Sequence, residues 1–337
     1  MRLRQFLITS ALFAVPAQAQ DAAPQSLPSL EAALPDEVRQ LLASVTTVHS
    51  LFPVNGSEPF AGNVLKADVI NFSRDSELVL HNVTTPYIVI AAREVKFPDA
   101  TSSYRVRFDN VVAPQGNAGV GGARGADGEG ETDFTGHPGA GGSAGTSGGP
   151  GARQFLPHVY FVVDHFSVAN DPAPRSINLA MKLTGIAGGI GGAGGAGGDG
   201  GSGARGHKGS DNFHSCKHGA GRGGKGGDGA IGGTGGDGAQ GTRGGSLTFV
   251  STGLGVSQFG YASIQNQGGA GGIGGAAGNA GRPGGGGPGG HGSHYCHGGN
   301  SGSAGGTPAA ASAGNEGTPG MKGKTTLISV PLIPALS

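Results

Sequence analysis

Hydrophobic and polar residues alternate with a period of two in several short stretches of the chain. Tyr104, Val106 and Phe108 alternate with Arg105, Arg107 and Asp109. Ile177, Leu179, Met181 and Leu183 alternate with Asn178, Ala180, Lys182 and Thr184. A strand sends successive side chains to opposite faces, so each stretch predicts a strand with one apolar face. The same reading, helped by β-branched and aromatic residues, predicts strands over 64–72, 76–82, 87–97, 158–168, 246–252, 259–267 and 325–330. One stretch has a helical period instead. Asp36-Glu-Val-Arg-Gln-Leu-Leu-Ala-Ser-Val45 reads as a short amphipathic helix, and residues 20–35 read as linker.

Between the strands the period becomes three. Gly116, Gly119, Gly122, Gly125 and Gly128 keep it, and so does the tract from Gly136 to Gly151. It holds again from Gly185 to Gly209, from Gly223 to Gly244 and from Gly269 to Gly290. From Gly299 to Gly323 it breaks only at Pro308 and Ala311. Of the 73 glycines, 71 lie between Gly116 and Gly323, so the average composition hides two different materials. A flexible linker has no reason to keep phase.

A three-residue period selects an extended helix with no internal hydrogen bonds, whose backbone must pair with neighbouring chains or water. A collagen-like triple helix and a bundle of polyglycine-II helices both meet that demand. The tracts favour the bundle, because they come in pairs with phase breaks near 129–135, 210–222 and 291–298, as an out-and-back path requires. Many triplets also carry two glycines, as in Gly188-Gly-Ile-Gly-Gly-Ala-Gly-Gly-Ala-Gly-Gly-Asp-Gly-Gly-Ser202.

The expected fold class is therefore an all-β base, β-solenoid or sandwich, with three inserted hairpins of polyglycine-II helices forming a six-helix bundle. The base comprises 46–115, completed by strands 158–184, 246–267 and 325–330. The hairpins are 116–151, 185–245 and 268–323. At about 3.1 Å per residue, Gly185–Gly206 and Gly269–Gly290 each reach ~65 Å. Hairpins two and three are expected to end at one height, with the shorter hairpin one stopping below them.

Charge and targeting narrow the function. Lys and Arg balance Asp and Glu, and only 13% of residues are charged, which argues against a nucleic-acid surface. Arg2 and Arg4, the apolar run Phe6 to Val15 and the small-residue site Ala17-Gln-Ala19 read as a signal peptide over 1–19. The expected location is exported: periplasmic, cell-surface or secreted. No later segment has the roughly 20 apolar residues of a membrane span. The chain shows no Gly-x-Ser-x-Gly elbow or phosphate loop in a strand–helix setting and no His-Glu-x-x-His pair, so it reads as a non-enzyme.

The unusual chemistry sits in the turns between tracts. Turn one is Glu131-Thr-Asp-Phe-Thr-Gly-His137. Turn two is His207-Lys-Gly-Ser-Asp-Asn-Phe-His214-Ser-Cys216-Lys-His218, and turn three is His291-Gly-Ser-His294-Tyr-Cys296-His297. These turns hold seven of the eleven histidines and both cysteines. Two readings stay open. An exported chain with two cysteines at matching heights suggests a Cys216–Cys296 disulfide stapling the long hairpins. Alternatively, His207, His214, His218, His291, His294 and His297, with or without the cysteines, offer donors suited to Zn or Cu, although at no standard finger spacing.

The phased Gly-Gly-X tracts over about 116–323 resemble the polyglycine-II bundles of springtail antifreeze proteins and of glycine-rich phage tail-fibre tip adhesins. Gly191-Gly-Ala-Gly-Gly195 is also similar to the repeats of mycobacterial surface proteins. The resemblance lies in the repeat alone. In the phage adhesins the distal loops recognise a receptor, and the resemblance implies that role here for Phe213, His214, His218, His294, Tyr295 and His297. The leading expectation is thus an adhesion or binding protein for an extracellular or cell-surface glycan or protein. A metal-binding protein and an ice-binding or structural surface protein are the alternatives.

Overall fold

The computed structural model describes residues 27–169, 177–260 and 262–331. The expected signal peptide lies outside them. Two helices come first, α1 (Leu27–Glu31), inside the stretch read as linker, and α2 (Asp36–Ser44), where the helical period placed it. Six strands follow: β1 (His49–Val54), β2 (Ser57–Phe60), β3 (Val64–Phe72), β4 (Glu77–Leu80), β5 (Tyr87–Phe97) and β6 (Tyr104–Phe108). Hairpin one carries a short ribbon at its tip, β7 (Glu131–Thr132) and β8 (Thr135–Gly136). After β9 (His158–Val168) and β10 (Leu179–Lys182), hairpin two carries the ribbon β11 (Ser210–Asp211) and β12 (Cys216–His218). Then come β13 (Leu247–Thr252), α3 (Gly253–Phe259), β14 (Ser263–Gln265), hairpin three and β15 (Thr325–Val330).

The base strands form two sheets, both parallel throughout. One has the order β1-β3-β5-β9-β13-β15 and the other β14-β10-β6-β4-β2. The chain visits the two sheets in turn. Their inner faces bury one core, including Leu65, Ile90, Phe97, Tyr104, Val106, Phe161, Phe166, Met181 and Phe249. The outer face of the six-stranded sheet is also apolar, through Val89, Ala91, Tyr160, Val162 and Val250. Leu30, Val38 and Leu42 of the two N-terminal helices, with Leu34 of the turn between them, cover it. Strands buried on both faces read as near-continuous hydrophobic runs, as 87–92 and 159–163 do.

These elements correct the expected fold class. The base is α/β-like, with parallel sheets and helices packed on one of them, and is not an all-β sandwich or β-solenoid. Helical structure in the described residues is confined to α1, α2 and α3, so the six tracts are not a polyglycine-II helical bundle. Alternation shows which faces are apolar. It does not show strand direction, nor that a helix will cover a second apolar face. The expected strand over 259–267 also shrinks to 263–265, because α3 occupies its start. Thr252 caps that helix by accepting from the Gly255 N–H at 3.2 Å, and the Phe259 ring lies 4.0 Å from that of Phe249 in the core.

The glycine tracts are extended segments held by lateral backbone hydrogen bonds. The outgoing segments leave β6, β10 and β14, neighbours in one sheet, and so run side by side. Gly119 N donates to Ala193 O at 2.7 Å and Gly194 N to Ala276 O at 2.9 Å. The returning segments feed β9, β13 and β15, neighbours in the other sheet. Gly148 N donates to Thr234 O and Gly238 N to Asn315 O, both at 2.9 Å. Antiparallel bonds join the two layers, such as Gly195 N to Thr146 O and Gly275 N to Gly236 O. Sheet order thus sets segment order.

This close approach explains the glycine phase. A Cβ on Gly194 would stand 2.0 Å from Gly233 O, and one on Gly235 1.9 Å from Gly275 O. Where the phase breaks, the lateral bonds skip from Gly305–Gly284 to Gly314–Gly275, passing Pro308, which has no N–H, and Ala311.

Candidate distal recognition site

The far end of the array is built from all three turns. Cys216 and Cys296 are joined in a disulfide with Cα atoms 4.9 Å apart, closing 80 residues between hairpins two and three. Cys296 is buried, its sulfur 3.3 Å from Ser210 O and 3.2 Å from His218 O.

Beside the disulfide, Asp211 reaches from hairpin two to hairpin three. Its carboxylate accepts from the Ser293 hydroxyl, from His294 N at 2.8 Å and from Tyr295 N at 3.1 Å. The Ser293 hydrogen bond foremost, with those two amides adding to it, holds the Asp211 carboxyl below the usual carboxylate range against desolvation, the second-largest effect. Ser293 N also donates to Cys296 O, which closes turn three on itself. Hairpins two and three therefore do end together.

Hairpin one is shorter but begins farther out. Gly116 N donates to Ile190 O, five residues past Gly185, so its turn reaches the flank of turn two rather than stopping well below it. Asp133 and Phe134 both take positive φ, 49° and 68°, as the two central residues of a tight hairpin turn. For Phe this conformation is rare. It brings the Phe134 ring to 5.5 Å from His218, stacked, and 5.1 Å from His207, edge-on. Phe134 O accepts from His207 N, and Glu131 pairs with His207 Nδ1.

The outward surface of this assembly is aromatic. Phe213 is 87% exposed, Tyr295 46% and Phe134 47%. His214 packs edge-on against Phe213 at 4.8 Å and His294 against Tyr295 at 4.5 Å.

The six histidines considered as metal donors do not assemble. His207 and His218 are engaged with hairpin one, His291 lies 3.1 Å from an Arg205 guanidinium nitrogen, and His214 and His294 pack on their aromatic neighbours. Among the described residues no three His, Cys, Asp or Glu side chains converge as a metal site, and both thiols are in the disulfide.

Sequence reasoning picked the exposed rings and histidines. It passed over Asp211, Ser293, Glu131 and Phe134, which fix the loops to one another. The Ser-Asp-Asn run in turn two was the available signal, since Asp there is suited to accepting backbone N–H groups.

No helix among the described residues is long and apolar enough to cross a membrane. No protein-family model and no curated protein matches the chain. Among solved structures, the nine polyproline type II helical bundle antifreeze protein of the springtail Granisotoma rainieri is similar at 29% identity over 56% of this chain and 96% of that one. The TM-score is 0.10, which carries no argument about fold or function.

Proposed function

We propose that this is an exported, non-enzymatic binding protein that recognises an extracellular or cell-surface ligand, a glycan or a protein, through its distal aromatic surface. One observation carries the reading. Phe213 and Tyr295 stand in solvent on loops locked together by the Cys216–Cys296 disulfide and the Asp211 carboxylate. Exposed aromatics normally cost solubility unless a partner covers them, and rigid aromatic anchors lose little entropy on binding. The basic, apolar and small-residue regions over 1–19 support export, and a disulfide is at home in an oxidising compartment.

The test is a Phe213→Ser, Tyr295→Ser double variant applied to a glycan array and to intact bacterial cells. Lost binding with unchanged thermal stability is expected. Binding that survives the double substitution overturns the proposal.

A second reading rests on the flank of the array. The outgoing layer presents Ala187, Ile190, Ala193 and Ala196 beside Ala270, Ile273 and Ala276, with Ile190 and Ile273 in adjacent register. This flat, regularly spaced apolar strip suits contact with an extended surface such as ice. Thermal hysteresis abolished by Ile190→Lys and Ile273→Lys would establish it, and none in the native protein would remove it.

A further inference from the structure

The returning segments re-enter the six-stranded sheet side by side, and each brings a cation to the same seam. Arg153 follows Gly151, Arg243 precedes Gly244, and Lys324 follows Gly323. Strand register aligns the residues beyond them. Leu247 pairs with Val159 on one side and Thr325 on the other, so His158, Ser246 and Lys324 form one row across three strands. A cleft of about 160 Å³ opens there, lined by Arg153, Phe155, His158, Arg243 and Ser246 among others.

The cations of this cleft are placed and unpaired. Arg243 Nε donates to Lys322 O at 3.1 Å, which orients the guanidinium and leaves its terminal nitrogens free for a further acceptor. The Arg153 guanidinium sits 5.1 Å from the centre of the Phe155 ring, and Phe155 is 73% exposed. The ion pairs of the described residues use Arg39, Lys66, Arg74, Arg93, Arg107, Arg124 and Lys225, and none of the three seam cations. No carboxylate lines the cleft. Glu37, which acts on the neighbouring Tyr160, is already taken by the Tyr87 hydroxyl at 2.9 Å. The Ser246 hydroxyl accepts from Lys324 N and keeps its own proton to donate.

We propose that this seam binds an oxyanion group, sulfate or phosphate, with the Arg153 and Arg243 guanidiniums as the principal donors and Lys324 and Ser246 completing the set. Forked guanidinium donors match oxyanion geometry. The open face of Phe155 beside them suits a group carried on a ring, as in a sulfated sugar, and a free inorganic ion satisfies the same donors. The site is independent of the distal loops.

The experiment titrates the full chain at low salt with inorganic phosphate and, separately, with a sulfated heparin oligosaccharide. The variants are Arg153→Gln, Arg243→Gln and the distal Phe213→Ser, Tyr295→Ser pair. Each Arg substitution should weaken binding about tenfold, as loss of a hydrogen bond to a charged group does, and the distal pair should leave it unchanged. Competition by inorganic phosphate identifies the bare oxyanion as sufficient. Oligosaccharide binding without such competition assigns the site to a ring-borne sulfate. Failure of both probes to bind the native chain overturns the proposal, as does binding indifferent to both Arg substitutions in variants with native thermal stability.

Discussion

The Asp211 carboxylate accepts a hydrogen bond from the backbone N–H of Tyr295 at 3.1 Å, joining residues 84 apart in sequence at the far end of two long hairpins. The same carboxylate holds His294 N and the Ser293 hydroxyl. Asp211→Ala should therefore loosen turn three without disturbing the base. Faster amide exchange at His294 and Tyr295, with exchange in β5 and β9 unchanged, is the expected result.

That contact carries a pH dependence with a definite sign. The Asp211 pKa is depressed in the folded chain, first by the Ser293 hydrogen bond. Its contribution is fully present above the ordinary carboxylate pKa of 3.8 and is lost as pH falls through the depressed folded value. Protection of the His294 and Tyr295 amides should fall only in acid below that ordinary value, and Asp211→Asn should remove the dependence.

The disulfide acts on the same end by a different route. On the chain-entropy model, closing 80 residues restricts the unfolded chain by an amount worth about 4 kcal/mol. Reduction, or Cys216→Ser with Cys296→Ser, should lower the thermal midpoint and raise exchange in turns two and three. The lateral glycine bonds near the base should persist. Equal midpoints for oxidised and reduced protein would contradict this.

Glycine positions should divide sharply by what surrounds them. A Cβ on Gly195 meets backbone oxygen at 2.0 Å, whereas one on Gly285 meets nothing within 4 Å. Gly195→Ala should cost about 4 kcal/mol or more, because the backbone at Val120 must move. Gly285→Ala should lie within roughly 0.5 kcal/mol of the native chain. Thermal denaturation of the two variants checks the contrast.

Two histidines of the base should titrate with opposite effect. Burial, and secondarily Lys324, lowers the His158 pKa. Stability from keeping it neutral is complete above 6.5 and declines as pH falls from there to the folded value. A hydrogen bond with Asp164 raises the His165 pKa, so its contribution is complete below 6.5 and is lost as pH rises through the folded value. Denaturation curves of His158→Gln and His165→Gln against pH should differ from the native curve with opposite slopes.

The sequence by itself determined where most strands lie. The β3, β5, β9 and β15 ranges coincide with the predicted ones, because β-branched and aromatic enrichment and burial are local consequences of a strand. It also determined the three-residue glycine phase, since a clash such as Gly194 against Gly233 O forbids any side chain there. The pairing of the two cysteines was legible as one of two readings, and the exposed rings Phe213 and Tyr295 were legible from turn composition.

Strand direction, the stacking of α1 and α2 on Val89, Tyr160 and Val250, and the alternate use of two sheets were decided only in three dimensions. They depend on pairings between segments far apart in the chain, about which local periodicity says nothing. The same holds for the register that starts Gly116 opposite Ile190 and so delivers Phe134 to His218, and for the seam that gathers Arg153, Arg243 and Lys324. The glycine phase requires close neighbours. Which neighbours they are is set by the order of strands in the sheets from which the segments leave and to which they return.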